Sequence, residues 1–417
     1  MPDDGLTVTA GTFVERSPAR IEGLSTWRAM LMLMGIVFHA TCWHEGHPLF
    51  QGIVLASSTF RMGCFFLISG LLGGYALRRR APHAWLRQRI VRIGIPALFA
   101  YATITPIIGL LLDAAPPTAF IPRPIPFDWY HLWFLFALVA YAPLTLLLHR
   151  LDRTTGMVAG VERLCRILPG AQTWVLLAVA LASLVPMVLV SWMLDQWTST
   201  TYRAPLLQLR LIAGYAPVYG FGFLLARSAL LRDTMIGRVT APVAILMLIA
   251  AAYIWQFAIL PMPVRAWTNA TLVIGAAFGP PAAASLILRS ALAIRSVPPF
   301  VQKLADASFT MYLLHYPIIV AIKIALVSAT RDPGIAFMCA IPVAAILSYA
   351  AHRRIVLRSP RLGFLLNGRV LERRPARDDL SGEHDGSGGL LLPGAPRTAG
   401  TASVARFGPT ALSSEIN

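Results

Sequence analysis

Charge is scarce in this 417-residue chain: Asp, Glu, Lys and Arg together make up 13% of it, where soluble domains carry about 25%. A set of ordinary water-soluble domains is therefore excluded, the more so because 56% of residues are hydrophobic and mean hydropathy is +0.64. Cysteine is also rare. Cys42, Cys64, Cys165 and Cys339 show no CxxC or paired spacing, so neither a disulfide framework nor a metal site is expected. Glycine-rich phosphate loops, heptads and internal repeats are all missing. Residues 1–20 hold Asp3, Asp4 and Glu15 and no small-residue cleavage site after an apolar core, so no cleaved signal peptide is expected and the first span serves as its own insertion signal. Acidic residues are absent near the centres of the apolar stretches; Asp113 and Asp195 mark only their ends. Proton- and sodium-coupled carriers usually depend on such carboxylates, and paired broken helices at matching positions of two halves are missing too.

What remains is apolar sequence in long stretches, each able to cross a bilayer with about 20 residues. Ten qualify: 24–43, 53–77, 95–113, 131–149, 173–194, 207–226, 240–260, 268–288, 308–328 and 334–351. Pro106, Pro143, Pro186, Pro217, Pro317 and Pro342 fall inside them, as membrane helices tolerate. The expected fold class is an all-α polytopic bundle of about ten transmembrane helices. Net charge is +17, nearly all of it arginine. A nucleic-acid binder would gather such charge on a polar domain, and there is none. Instead it alternates between loops: with the N-terminus inside, the outer loops carry only Arg123, Arg203, Arg265 and Arg331, against 25 cations in the inner segments. That asymmetry places both termini in the cytoplasm. The expected organisation is a cytoplasmic segment 1–20, a transmembrane domain 21–370 and a tail 371–417, rich in Gly, Ser, Pro, Asp and Thr, with too little apolar surface to fold.

Ionisable residues inside spans are the functional candidates, because each is costly to bury. Arg28 and His39, 11 residues apart, differ by about 20° around a helix and lie about 16 Å apart along it. One helix thus directs a cation near its cytoplasmic end and an imidazole further out toward one side of the bundle. Taken singly, Arg28 also reads as a snorkelling residue and His39 as a hydrogen bond to a neighbouring helix. Arg61 lies too deep in the second span to snorkel, so a buried partner or a substrate role is expected, while Ser69-Gly70 suits close helix packing. Arg89 and Arg92 share a face of a basic amphipathic segment that either rests on anionic headgroups or grips an anionic ligand with two guanidinium forks. His131 either joins the aromatic belt of Trp129, Tyr130 and Trp133 or meets a polar substrate. His315, between Tyr312 and Tyr316, reads equally as structural or functional. His44 and His47 have a weak metal-ligand spacing only.

The ordered set Arg28-to-His39, FRMGCFFLISG from Phe60, RIVR from Arg89, HLWFL from His131, YGFGFLL from Tyr219 and SFTMYLLHYP from Ser308 resembles membrane-bound acyltransferase family 3 over about residues 20–355. It is most similar to the glucans biosynthesis protein C branch, which succinylates periplasmic glucans. The resemblance implies an enzyme of the bacterial inner membrane. It would move an acetyl or succinyl group from a cytosolic acyl-CoA, a co-substrate, to a carbohydrate hydroxyl at or beyond the outer face. No permanently bound cofactor or metal is implied. Matched residue by residue, His39 and Arg28 would be catalytic, Arg89 and Arg92 would bind the donor, and Arg61, His131 and His315 would face the acceptor or support the site. A positioned imidazole suits the task of taking a proton from a sugar hydroxyl. A carrier or flippase for a lipid-linked sugar is the alternative, followed by a non-catalytic membrane partner protein.

Overall fold

The computed structural model describes residues 22–41, 47–116, 128–196, 203–259, 265–294, 296–327 and 332–368. The two terminal segments expected at 1–20 and 371–417 therefore lie outside the described residues. Among the described residues there is no strand, and the order is α1 (Glu22–Ala40), α2 (Pro48–Arg78), α3 (Pro82–Arg89), α4 (Ile95–Asp113), α5 (Trp133–Thr155), α6 (Met157–Ile167), α7 (Ala171–Gln196), α8 (Arg203–Arg227), α9 (Ala229–Ile236), α10 (Thr240–Ile254), α11 (Arg265–Ala293), α12 (Pro299–Val327), α13 (Pro333–Ala351) and α14 (Pro360–Asn367). Helix is the physical default here. In lipid each backbone N–H and C=O must be satisfied within its own segment. The expected internal prolines all sit within helices. The chain is an all-α polytopic membrane protein.

Nine helices among the described residues are long and apolar enough to cross a membrane. The first of the ten expected spans is also a helix, α1, but Arg28 and His39 within its 19 residues dilute its hydropathy. Its length is about 28 Å at 1.5 Å per residue, close to the hydrocarbon thickness. It packs against α2, α11, α12 and α13. That packing shelters His39, which is half-buried, while Arg28 is exposed.

The helix α2 is the hub, touching α1, α8 and α11. Its contact with α8 is backbone to backbone: a Cβ on Gly70 would overlap the Tyr219 carbonyl, and one on Gly222 would overlap the Leu67 carbonyl. Small residues allow such approach where lipid provides no hydrophobic drive between helices. The Ser69-Gly70 expectation is met. Around this seam Phe66 packs against Phe134, Tyr141 and Tyr215 at ring-centroid separations of 5.2–5.5 Å, and Tyr219 shares a hydrogen bond with Thr145 at 2.7 Å. The outer helices α7, α10 and α13 carry many exposed large apolar side chains, such as Trp192, Met247, Leu248 and Ile346, the pattern of a lipid-facing perimeter.

Two backbone irregularities shape the sites. A π-helical turn at Ile90–Gly94 joins α3 to α4 and carries Arg92; such turns commonly mark functional positions. A 3-10 turn, Tyr130–Leu132, opens α5. Tyr130 has φ 43, the only non-glycine positive φ among the described residues, and is held by its N–H donating to Asp128 at 2.8 Å. This strained residue immediately precedes His131, and strain of that kind concentrates where a site imposes it.

Candidate active site

Three imidazoles from three separate elements meet in the bundle. His39 comes from the last turn of α1, His131 from the 3-10 turn before α5, and His315 from the middle of α12. Ring centroids are 5.2 Å apart for His39 and His315, 5.3 Å for His131 and His315, and 6.2 Å for His39 and His131. Tyr316 closes the group at 4.8 Å from His39 and 5.1 Å from His131. His131 is 3% exposed and His315 is fully buried, so His131 does not belong to an interfacial belt.

The tautomers of two rings follow from their partners. His315 Nδ1 lies 2.6 Å from the Tyr312 carbonyl and 3.2 Å from that of Met311. A carbonyl only accepts, so Nδ1 carries the proton and Nε2 is bare. His131 Nε2 likewise donates to the Leu313 carbonyl at 3.1 Å, leaving Nδ1 bare. Both bare nitrogens are buried with no hydrogen-bond partner among the described residues. Leaving such an atom unsatisfied costs about 1–3 kcal/mol, and fold alone does not account for two of them in one place. Tyr312 locks the arrangement by donating its hydroxyl hydrogen to the His131 carbonyl.

Arg61, 6% exposed, enters from α2. Its Nε donates to Ser57 at 2.7 Å and its guanidinium lies 4.9 Å from the Phe38 ring centroid, an arrangement that offsets part of the cost of burying the charge. It lies within electrostatic reach of His39. So does Lys323, 4% exposed, from α12.

The second group lies at the arginine-rich end of α2. A cavity of about 360 Å³ is lined by Leu72, Tyr75, Ala76, Arg79, Arg80, Trp85, Gln88, Arg89 and Arg92. Trp85, 2% exposed, packs with Leu77, Ala142 and Phe223 and so anchors α3 to α5 and α8. With α3 fixed, Arg89 stays partly buried, its Nε without a partner among the described residues. Arg80 donates to Gln88 across the cavity wall. Arg28 is exposed and close enough to Arg89 for the two charges to repel. The two same-face residues of α1 thus divide between the sites. His39 joins the imidazoles, and Arg28 sits with the arginines rather than beside His39.

A family model described as an acyltransferase domain matches residues 21–353, a stretch that holds both groups. The chain belongs to that acyltransferase family. It is 31% identical over 144 residues to the glucans biosynthesis protein C of Escherichia coli O6:K15:H31 (strain 536 / UPEC), the match covering 29% of this chain and 37% of that protein. The protein of the same description from Shigella dysenteriae serotype 1 (strain Sd197) gives the same identity and coverage. That from Salmonella paratyphi B (strain ATCC BAA-1250 / SPB7) is 33% identical over 139 residues, 28% of this chain and 35% of that one. The chain thus spans little more than a third of the length of these curated relatives. No solved structure matches it.

Among the described residues of this family member, no group of three or more His, Cys, Asp or Glu is arranged to hold a metal ion. Lys323 is a further ionisable residue near the cluster that carries no motif. The signal was available: a lysine in the apolar run AIKIALV, seven residues after Tyr316 and therefore on the same helix face.

Proposed function

We propose that this protein is an integral-membrane O-acyltransferase. It takes an acetyl or succinyl group from a cytosolic acyl-CoA and esterifies a hydroxyl of a periplasmic or cell-surface glucan-like carbohydrate. The observation that carries the reading is the pairing of an arginine-lined cavity of about 360 Å³ with an imidazole cluster inside the bundle. The two sit toward opposite ends of one helix, α1, within the span matched by the family. The charge asymmetry of the loops supports a cytoplasmic position for the arginine end, and the reading takes the membrane to be a bacterial inner membrane.

The chemistry follows from the groups present. The phosphates of CoA dock on Arg89 and Arg92, with Arg28 beside them; guanidinium forks suit phosphate oxygens. The thioester then extends along the α1 face toward His39. His39 acts as general base: the hydroxyl oxygen attacks the thioester carbonyl carbon as its proton passes to the imidazole. The new C–O bond forms, the C–S bond breaks, and the proton moves on to the departing sulfur. His131 and His315 pack beside His39 with their N–H groups committed to backbone carbonyls. No permanently bound cofactor enters this scheme.

The test is a comparison of periplasmic and surface glycans, by mass spectrometry, from cells with and without the gene. The expected outcome is an ester present only with the gene, its mass naming the acyl group and its fragments the acceptor. Glycans identical in the two strains would contradict the assignment of the acceptor.

A further inference from the structure

The arginine-lined cavity takes its cations from two elements. Leu72, Ala76 and Arg79 follow one another at four- and three-residue steps, so the end of α2 presents one stripe to the cavity. Trp85, Arg89 and Arg92 form a second stripe with the same steps, along α3 and the π-helical turn after it. Arg80, just beyond α2, is held by donating to Gln88 of α3. Four arginines and no carboxylate thus line a single cavity of about 360 Å³. Like charges gathered in this way repel one another, and a ligand with two anionic groups relieves the repulsion at both stripes.

The two arginine pairs differ in their relation to α1. Among the described residues, Arg89 is the cavity arginine whose charge is felt at Arg28 of α1. Arg89 and Arg92 therefore mark the side toward α1, and Arg79 and Arg80 the side away from it. CoA is anionic at two places as well. A diphosphate leads through pantetheine to the thioester, and a separate phosphate sits on the 3′ oxygen of the ribose. The pantetheine arm has to leave toward α1 for the thioester to approach His39. The diphosphate then belongs beside Arg89 and Arg92, which leaves the 3′-phosphate for the other pair. Charge matches too: a phosphate monoester carries about −1.5 to −2, against two guanidinium groups.

We propose that Arg79 and Arg80 form a separate subsite for the ribose 3′-phosphate of the donor. The subsite selects an acyl group carried on CoA over one carried on 3′-dephospho-CoA or on the bare phosphopantetheine arm of a carrier protein, neither of which brings that phosphate. Guanidinium forks are suited to a terminal phosphate. Gln88 is a positioning residue, keeping Arg80 at the cavity wall. The assignment deepens the acyl-CoA reading above and rests on it.

The experiment titrates the full-length protein, in phosphatidylcholine nanodiscs, with CoA and with 3′-dephospho-CoA by calorimetry, so that no acceptor is needed. The wild type is expected to bind CoA about tenfold more tightly, the lower part of what charged hydrogen bonds supply when the cations are exposed. Arg79→Gln combined with Arg80→Gln should bring the ratio of the two Kd values close to one. Arg79→Gln alone should move it the same way, and serves if the double variant does not fold. Arg89→Gln with Arg92→Gln should weaken both ligands and keep the ratio. Arg78→Gln removes the same charge from the same helix end but does not line the cavity, and should also keep it. Equal wild-type affinities, or a preference that survives in the Arg79/Arg80 variant or is lost in the Arg89/Arg92 variant instead, overturn the subsite and leave the acyl-CoA reading standing. Loss of the preference when phosphatidylglycerol is added to the nanodiscs would give the pair to a lipid headgroup and overturn it as well. Binding of neither ligand by the folded wild type overturns the subsite and the acyl-CoA reading together.

Discussion

Replacing His39 with alanine is expected to lower kcat for acyl transfer by about 10²–10⁴, the range supplied by a positioned general base. The protein should still insert and fold. His39 is half-buried in the last turn of α1, and the buried residues that hold α1 in place, Leu24, Leu31, Met32, Ile36 and Ala40, are untouched. Donor KM should stay near the wild-type value, because the arginine cavity is separate. The check is a kcat and KM measurement on purified His39→Ala beside a thermal unfolding curve. Unchanged kcat in folded protein would remove His39 from the mechanism. His315 Nε2 and His131 Nδ1 would then be the remaining bases, each bare and buried in the same cluster.

The second large effect is expected at the other end of α1. Arg89→Gln combined with Arg92→Gln should raise the KM for acyl-CoA by about 10²-fold while leaving kcat at saturating donor nearly intact. A hydrogen bond to a charged group is worth about 1.5–3 kcal/mol, and each 1.4 kcal/mol is tenfold in affinity. Most of the loss belongs to Arg89, whose Nε is buried without a partner among the described residues; Arg92 is exposed and its contact is weakened by water and salt. Wild-type donor KM should accordingly rise with ionic strength, and that dependence should flatten in the double variant. Trp85 and its apolar neighbours keep α3 docked in both proteins, so a titration of initial rate against acyl-CoA at two salt concentrations reads the effect cleanly. An unchanged KM would mean that the arginines serve the membrane surface, as the other reading of this amphipathic segment holds.

Much of the architecture is legible in the sequence because lipid leaves so few choices. A long apolar stretch must become a helix, and nine of the ten expected stretches reappear as helices able to cross a membrane. The tenth, α1, falls outside that set through the residues that make it interesting, Arg28 and His39. The common face of Arg28 and His39 follows from 3.6 residues per turn. What the sequence did not reveal is convergence. His131 and His315 are 184 residues apart, and nothing local to either says that the Leu313 and Tyr312 carbonyls will fix their tautomers. The tyrosine-histidine run of α12 left structural and functional roles open, and only the packing of α1 against α12 and the turn before α5 brings the rings together. Arg61 is marked by its depth, but its approach to Phe38 and His39 depends on how α2 lies against α1. The division of Arg28 and His39 between two sites is likewise a matter of distance along the helix, which a shared face does not reveal.

The central claim is directional: the donor binds at the arginine-rich end and the acceptor meets the imidazole cluster from the opposite side. It is tested most directly by sidedness in sealed liposomes holding the full-length protein in one known orientation. Labelled acetyl-CoA or succinyl-CoA is placed on one face and a periplasmic glucan fraction on the other. The account predicts labelled ester only when acyl-CoA is on the face bearing Arg89 and Arg92 and the glucan is opposite. Ester formed with acyl-CoA on the other face, or only when donor and glucan share a compartment, would contradict it.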